Sequence, residues 1–243
     1  MGRPRVLWCD ADGNLFPSEE PAYDASAGVT NDFLAAMGVP TRYTAEELRL
    51  GYTGKNFRTT AAVLCAEHGV DLSAPTLEEW VRREAEVVTA HLGRTLTPDP
   101  DVLGPLESLA RSHELALVSS SASARLDVCL RATGLEHLFA PSVRFSAEDS
   151  LLVPSGKPDP AIYRYAGNRL RCPPGEGVAI EDSAVGVQAA VGAGFATVGN
   201  VQFIAAEERA ARVDALLAAG AFHVVSSWAE VPSALESLAA TPV

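Results

Sequence analysis

The segment "VLWCDADGNLFPSEE", residues 6–20, decides the fold class and contains the first candidate site. Its apolar run ends at two carboxylates, Asp10 and Asp12, followed by Gly13, which permits a backbone turn that larger residues resist. Residues two apart on a strand point to the same face, and clustered carboxylates are costly to remove from water. A buried strand that delivers two aspartates therefore indicates a functional site at its carboxyl end.

Composition narrows the class of protein. The chain has 243 residues, 47% of them apolar, enough for one large domain or for a core with a smaller inserted domain. It has no run of about 18 apolar residues, and the apolar run before Cys9 is too short for a signal peptide. Four separated cysteines without metal-ligand spacing predict reduced thiols and a cytoplasmic protein. The net charge of −12 argues against nucleic-acid or membrane partners, while a monomer and a small homo-oligomer both stay open.

Short apolar segments alternate with helix-like segments through most of the chain. Strands that are apolar throughout are buried on both faces, so the alternation predicts an α/β fold with a doubly wound, Rossmann-like parallel sheet. Ligands of such sheets bind beyond the carboxyl ends of the strands. The predicted strands are Val6–Cys9, Leu115–Val118, Val143–Phe145, Val178–Ile180, Ala196–Val198 and Phe222–Val225.

One region interrupts the alternation. Residues 20–94 show only helical patterns, which predicts an α-helical cap domain at 18–94 inserted into a core formed by 1–17 and 95–243. Capping boxes at Thr44–Glu47 and Thr76–Glu79 predict two helix starts inside the cap. Residues 200–220 predict an additional loop and helix before the last strand.

A second strand also ends in acidic residues. The segment "VAIEDSAVG" delivers Glu181 and Asp182, and acids from two strand ends in one cleft cannot all be ionised without a compensating cation. Mg²⁺, a hard ion that prefers oxygen ligands, is the natural partner. The alternative is structural, since Asp182 or Ser183 could simply cap the next helix.

Serines and a lysine follow two further segments. Ser119, Ser120 and Ser121 end the second predicted strand just before a helix, where hydroxyl and backbone N–H groups suit an anion, and one of them is also expected to cap that helix. Only Lys55 and Lys157 among the 19 basic residues are lysines, which makes each a candidate for a point contact with a phosphate or carboxylate. The alternatives are a solvated loop for Lys157 and chance retention for Lys55.

The order of these motifs resembles that of haloacid dehalogenase superfamily hydrolases, in the phosphatase and β-phosphoglucomutase-like subgroup with a helical cap after the first strand. "DADG" matches the first motif, Ser119 the second, Lys157 in "GKPDPAIY" the third and "EDSAVGV" the fourth, so the resemblance covers essentially the whole chain.

The resemblance implies a role for each matched residue. Asp10 would be the nucleophile that forms an aspartyl-phosphate, and Asp12 would be the general acid and then the general base. Mg²⁺ would be held by Asp10, the backbone carbonyl of Asp12 and Asp182, with Glu181 as a direct or supporting ligand. The phosphoryl oxygens would be bound by Ser119, Lys157 and backbone N–H groups near Asp12, Gly13 and Ser120.

The resemblance leaves several reactions open. A Mg²⁺-dependent phosphatase acting on a small sugar-phosphate-like metabolite is the expected function, because dehalogenases and phosphonate hydrolases of the family lack the aspartate at Asp12. A β-phosphoglucomutase-like mutase is the main alternative. Against it, "FPSEEPAY" has no histidine, and the chain has Gly54 or Lys55 where mutases have an arginine, although Lys55 could replace it. A catalytically idle binding or regulatory protein would not need both Asp10 and Asp12.

The cap and its hinge are expected to select the substrate. Asn14 and Pro17 depart from the usual first motif, and they lie where the chain leads into the cap. The candidate cap contacts are Tyr52, Thr53, Lys55, Asn56 and Arg58, with Arg58 expected to be only a solvated helix residue.

Overall fold

The computed structural model of the chain describes residues 4–52 and 56–240, which divide into two compact units. The division falls between Pro17 and Ser18 and again between Leu96 and Thr97, so the second unit is an insertion within the first. None of the helices in these two ranges combines the length and apolar character that crossing a bilayer would require.

The first unit contains a six-stranded sheet in which every paired strand is parallel. The strand order is β3-β2-β1-β4-β5-β6, which confirms the predicted α/β fold with a parallel sheet. All six predicted strands are present with small shifts at their ends. They are β1 (Val6–Cys9), β2 (Glu114–Ser119), β3 (Arg144–Ser146), β4 (Gly177–Glu181), β5 (Ala196–Asn200) and β6 (His223–Val225).

The second unit is helical throughout its described part. Its helices are α1 (Glu19–Ala36), α2 (Ala45–Tyr52), α3 (Phe57–Glu67) and α4 (Ala74–Thr95). They enclose a core of their own, in which the ring of Phe33 lies 6.0 Å from that of Phe57 and 5.7 Å from that of Trp80. Edge contacts of this kind fix how aromatic side chains pack between helices.

Only one of the two predicted capping boxes is present. At the start of α2, Glu47 accepts from the backbone N–H of Thr44 at 2.8 Å, and Thr44 accepts in return from that of Glu47 at 3.2 Å. The box predicted at Thr76–Glu79 is wrong, because α4 begins three residues earlier with Ser73 as its N-cap. Pro75 in the first turn is compatible with that earlier start, since no hydrogen bond is required of its nitrogen there.

The remaining helices cover the sheet. They are α5 (Pro100–Ala110), α6 (Ser123–Ala132), α7 (Ala161–Arg169), α8 (Ala184–Gly192), α9 (Ala206–Ala218) and α10 (Val231–Ala240). The extra helix predicted in 200–220 is α9. Ser183 caps α8, as expected, by accepting from the N–H of Gly186 at 3.1 Å. The serine cap expected on α6 is wrong: its N-cap is Ala122, and Asp149 instead accepts from the N–H of Ser123 at 2.6 Å.

Burial of the central strands explains their composition. All four residues of β1 are fully buried, and Trp8 packs with Phe195 and Tyr163 in the core beneath α7. A strand covered on both faces has no polar alternation, which is why "VLWC" is apolar throughout. The polar residues begin only where the strand ends, at Asp10.

Candidate active site

The register of the sheet brings three polar strand ends together. Cys9 of β1 lies opposite Leu117 of β2 and Ile180 of β4. The residues that follow these three positions, beginning with Asp10 on β1, therefore lie at the same edge of the sheet. A tight turn then reverses the chain: Gly13 has φ +78° and donates to the carbonyl of Phe16 at 3.0 Å. That φ favours glycine, as the sequence predicts.

Lys157 contacts residues at the ends of three strands at this edge, and we call Lys157 with Asp10 and Glu181 the hub of the site. Its ammonium group donates to Asp10 Oδ1 at 2.5 Å, to Glu181 Oε1 at 2.6 Å and to the carbonyl of Val118 at 2.9 Å. An ammonium group has three donors, and these contacts use all of them. Its side chain is only 5% exposed, so the expectation of a solvated loop residue does not apply. Lys157 thereby joins the ends of β1, β2 and β4.

The charges at this edge depend on one another. Burial by itself lowers the pKa of Lys157, but the negative charges of Asp10 and Glu181 outweigh that effect and raise the pKa above its ordinary value. Burial raises the pKa of Asp10, and Glu181 and Asp182 add to the rise while Lys157 opposes it. The lysine is therefore held in its charged form, whereas an ionised Asp10 needs additional positive charge.

The carboxylates fit a divalent cation. Asp10, Glu181 and Asp182 each offer an oxygen, these oxygens lie within 4.8 Å of one another, and all three residues are buried. Lys157 contributes one positive charge to Asp10 and Glu181, fewer than these two carboxylates carry when both are ionised. The second oxygen of Glu181, Oε2, is buried and accepts no hydrogen bond. An all-oxygen donor set with this charge suits Mg²⁺.

Two glycines make room for the acidic side chains. A Cβ at Gly13 would lie 2.3 Å from Asp182 Oδ2, and a Cβ at Gly186 would lie 1.8 Å from Glu181 Oε2. No real Cβ approaches an oxygen so closely, so both carboxylates occupy space that only glycine leaves open. Gly13 therefore serves the turn and the acidic cluster together.

The serines after β2 order the loop around the lysine. Ser119 is 2% exposed, and its hydroxyl accepts from the N–H of Ser121 at 3.0 Å. The hydroxyl of Ser120 accepts from the N–H of Lys157 at 3.1 Å. The structure thus brings Ser119, Ser120 and Lys157 to the same strand edge as Asp10.

Asp12 lies on the more open side of this edge. Its Oδ2 accepts from the hydroxyl of Ser121 at 2.7 Å, and its Oδ1 accepts from Nη2 of Arg125 at 2.8 Å. About a quarter of each partner of the ion pair is exposed, with side-chain values of 27% for Arg125 and 28% for Asp12. Asp12 is therefore more exposed than Asp10, whose side chain is 10% exposed.

Sequence reasoning did not single out two side chains that line this site. Tyr163 of α7 donates a hydrogen bond to Glu181 Oε1, and Arg125 of α6 pairs with Asp12. Ser121 lies before α6 begins at Ser123, so helical spacing does not connect it with Arg125, whose partner Asp12 is 113 residues away. Tyr163 likewise has no signal in the sequence, because its partner is 18 residues away and meets it only through the fold.

The predicted cap contacts meet different outcomes. Thr53 and Lys55 lie outside the described residues. Asn56 is the N-cap of α3 and accepts from the N–H of Thr59 at 3.0 Å. Arg58 pairs with Glu78, and the hydroxyl of Tyr52 donates to Glu67 at 3.0 Å. These described side chains have structural partners within the helical unit.

Fold and site together define a class of protein. A parallel sheet with an inserted helical unit gathers two acidic pairs, a buried lysine and serine hydroxyls at the carboxyl ends of its central strands, which suits an enzyme that hydrolyses phosphate esters. The sequence model of the haloacid dehalogenase-like hydrolases matches residues 8–194. The chain belongs to this family, as the motifs predicted.

Relatives and solved structures agree with this assignment. A phosphorylated carbohydrates phosphatase from Thermotoga maritima is 31% identical over 187 residues, 76% of this chain and 80% of that protein. The crystal structure of CbbY from Rhodobacter sphaeroides in complex with phosphate has a TM-score of 0.72 at 25% identity, covering 94% of this chain and 96% of that one. A HAD family hydrolase from Deinococcus radiodurans with bound phosphate and sodium has a TM-score of 0.68 at 26% identity over all of both chains.

The matches differ in extent. One further curated relative is 41% identical but over 86 residues only, which is 35% of this chain and 37% of that protein. At the level of a phosphatase-type hydrolase of this family, the prediction from the sequence is confirmed.

Proposed function

We propose that the protein is a Mg²⁺-dependent phosphatase that hydrolyses a small, sugar-phosphate-like monoester through an aspartyl-phosphate on Asp10. The observation that carries this proposal is the hub formed by Lys157, which joins Asp10 to Glu181 beside Asp182. Such a hub gathers a nucleophilic carboxylate and fixed positive charge at one strand edge, which is what transfer of a phosphoryl group requires.

In this mechanism Asp10 attacks phosphorus as the ester bond breaks. Its hydrogen bond from Lys157 orients one carboxylate oxygen and leaves the other for the attack. The charge of the ammonium group helps to neutralise the phosphoryl oxygens, and the hydroxyl of Ser119 and N–H groups near Gly13 and Ser120 orient them. Asp12 gives its proton to the leaving oxygen and then accepts one from the water that hydrolyses the aspartyl-phosphate.

The metal in this proposal would be held by Asp10, Asp182 and the backbone carbonyl of Asp12, with Glu181 as direct or indirect support. When bound, Mg²⁺ supplies positive charge to the phosphoryl oxygens and to the ionised carboxylates. Tyr163 and Lys157 both donate to Oε1 of Glu181, which fixes that carboxylate from the other side.

The choice of a sugar-phosphate-like substrate is supported by the relatives rather than by a side chain. A related protein is a phosphatase of phosphorylated carbohydrates, and the fold neighbour CbbY binds phosphate. The helical unit is proposed to select the substrate as a cap. A cytoplasmic location and a monomer or small homo-oligomer remain predictions.

The test is a panel of small phosphomonoesters, weighted toward sugar phosphates, assayed for phosphate release with Mg²⁺ and with chelator. We expect metal-dependent turnover of at least one ester. Denaturation during turnover of a phosphorus-labelled substrate should trap label on the wild-type chain but not on Asp10→Asn. If the wild-type protein releases phosphate no faster than Asp10→Asn does from every ester of the panel, the phosphatase proposal is wrong.

The mutase alternative is tested with the same protein. A hexose 1-phosphate would be isomerised faster than it is hydrolysed by a mutase, and only hydrolysed by a phosphatase. We expect free phosphate as the product, because residues 15–24 contain no histidine in the segment that leads into the helical unit. Isomerised sugar phosphate as the main product would favour the mutase.

A further inference from the structure

The carboxylate of Asp12 is held by two side chains that the family motifs do not include. Ser121 donates to Oδ2 from the loop after β2, and Arg125 donates to Oδ1 from the first turn of α6. All three residues belong to the first unit. We propose that Arg125 is a positioning residue, which together with Ser121 holds Asp12 in the orientation needed for proton transfer. This inference rests on the proposed function, because it assigns Arg125 a part in the acid–base step.

The backbone contacts of Asp12 do not by themselves orient its carboxylate. The turn at Gly13 and the bridge between Asp12 and Phe16 set the main chain, but they leave the two side-chain torsions free. A proton donor has to be placed within about 0.5 Å of its productive position to act efficiently. Two donors on opposite oxygens set both torsions of the carboxylate.

Arg125 is itself well anchored for this task. Its helix begins where Asp149 accepts from the N–H of Ser123, and the buried side chains of Leu126 and Leu130 seat the helix against the core. The guanidinium is permanently charged and rigid, so it restrains a carboxylate more strongly than a flexible ammonium group does.

The pair is better placed to serve catalysis than folding. With both side chains about a quarter exposed, the ion pair contributes little to the stability of the fold. The serine hydroxyl can donate to an ionised carboxylate and accept from a protonated one, so its contact is available before and after the proton moves. The hold on Asp12 can therefore persist through both halves of the reaction.

The experiment compares two leaving groups. An alkyl phosphate that the wild-type protein hydrolyses needs its leaving oxygen protonated, whereas p-nitrophenyl phosphate does not. For Arg125→Ala we expect kcat on the alkyl ester to fall by at least about 10-fold with KM within about threefold. The first turnover of p-nitrophenyl phosphate, seen as a burst of nitrophenolate, should stay within about threefold of wild type, followed by slow turnover.

Three controls make the result specific. Arg131→Ala removes an exposed arginine from the same helix and should leave both substrates unaffected. Arg125→Lys, or added guanidinium with Arg125→Ala, should restore part of the lost rate. In the Asp12→Asn background, Arg125→Ala should cause no further loss, because the group it positions is already disabled.

The opposing outcomes are distinct. Equal losses in the first turnover of both substrates, losses that multiply with those of Asp12→Asn, or a higher KM at unchanged kcat would overturn the positioning role, and the last would make Arg125 a substrate contact. A normal rate for Arg125→Ala on the alkyl ester would also overturn it. If the wild-type protein releases no phosphate from any ester, the proposed function fails and this inference fails with it.

Discussion

The side-chain amide of Asn200, at the end of β5, donates a hydrogen bond of 2.9 Å to the side-chain oxygen of Asn14. Asn14 in turn donates to the carbonyls of Asp10 at 2.9 Å and Ile180 at 3.1 Å. The indole of Trp228 donates to the carbonyl of Asn14 at 2.8 Å. Asn14, a departure from the usual first motif, therefore ties together the strand ends that carry the acidic residues.

Replacing Asn14 with alanine should destabilise the protein and slow phosphate release. Asn14 is fully buried, and its loss leaves two carbonyls and the amide of Asn200 without these partners. We expect a loss of about 2–4 kcal/mol in the free energy of unfolding, measured in urea. Asn168→Ala, at an exposed position of α7, is the matched control and should change stability by less than about 0.5 kcal/mol. Equal stability of the two variants would contradict the role assigned to Asn14.

Replacing Lys157 with methionine should affect both folding and catalysis. The change leaves Asp10 and Glu181 buried without their shared cation, and removal of one partner from a buried ion pair lowers stability by about 3–5 kcal/mol. Phosphate release should fall by at least about 10²-fold. Urea unfolding and steady-state assays measure the two effects separately. A stable, active Lys157→Met variant would show that the hub is dispensable.

Replacing Gly13 with alanine should disturb the acidic cluster. The new Cβ would collide with Asp182 and would also occupy a backbone with φ +78°. Gly38 has the same φ, and no atom lies within 4 Å of a Cβ placed there, so Gly38→Ala isolates the backbone strain. We expect Gly38→Ala to lose about 1 kcal/mol of stability and keep its activity, whereas Gly13→Ala loses activity by at least about 10-fold. Similar activities in the two variants would count against the packing of Gly13 on Asp182.

Metal binding can be tested without turnover. Mg²⁺ should raise the unfolding temperature of the wild-type protein, because a ligand that binds only the folded state stabilises it. Asp182→Asn should lose most of that increase, while Asp214→Asn, at an exposed position of α9, should keep it. Scanning fluorimetry over a Mg²⁺ titration measures both. An identical Mg²⁺ response in wild type and Asp182→Asn would exclude Asp182 from the metal site.

The sheet was predictable because each strand carries its own signal. Buried parallel strands are apolar throughout, and the polar residues at Asp10, Ser119 and Glu181 mark where three of them end. Helix starts were less predictable, since several nearby residues can cap a helix. Ser73 rather than Thr76 begins α4, and Asp149, distant in sequence, accepts from the first N–H of α6.

The parts of the site that escaped prediction depend on contacts between distant segments. Arg125 is 113 residues from Asp12, and Asn200 is 186 residues from Asn14. An arginine in the first turn of a helix has the pattern of a solvated residue until the strand order is known. Likewise, Asn14 stood out as unusual in the sequence, but the three partners of its side chain are defined only by the packing of β1, β4 and β5.

The burial of Lys157 has a practical consequence for labelling the protein. Acylating reagents attack an uncharged, accessible amine, and Lys157 is 5% exposed with its pKa raised by Asp10 and Glu181. Lys55 is the only other lysine in the sequence. In a Lys55→Arg chain, the single remaining lysine amine would be shielded while the strand ends hold together and reactive once they separate. The rate at which Lys157 is acylated would then measure how often the site opens.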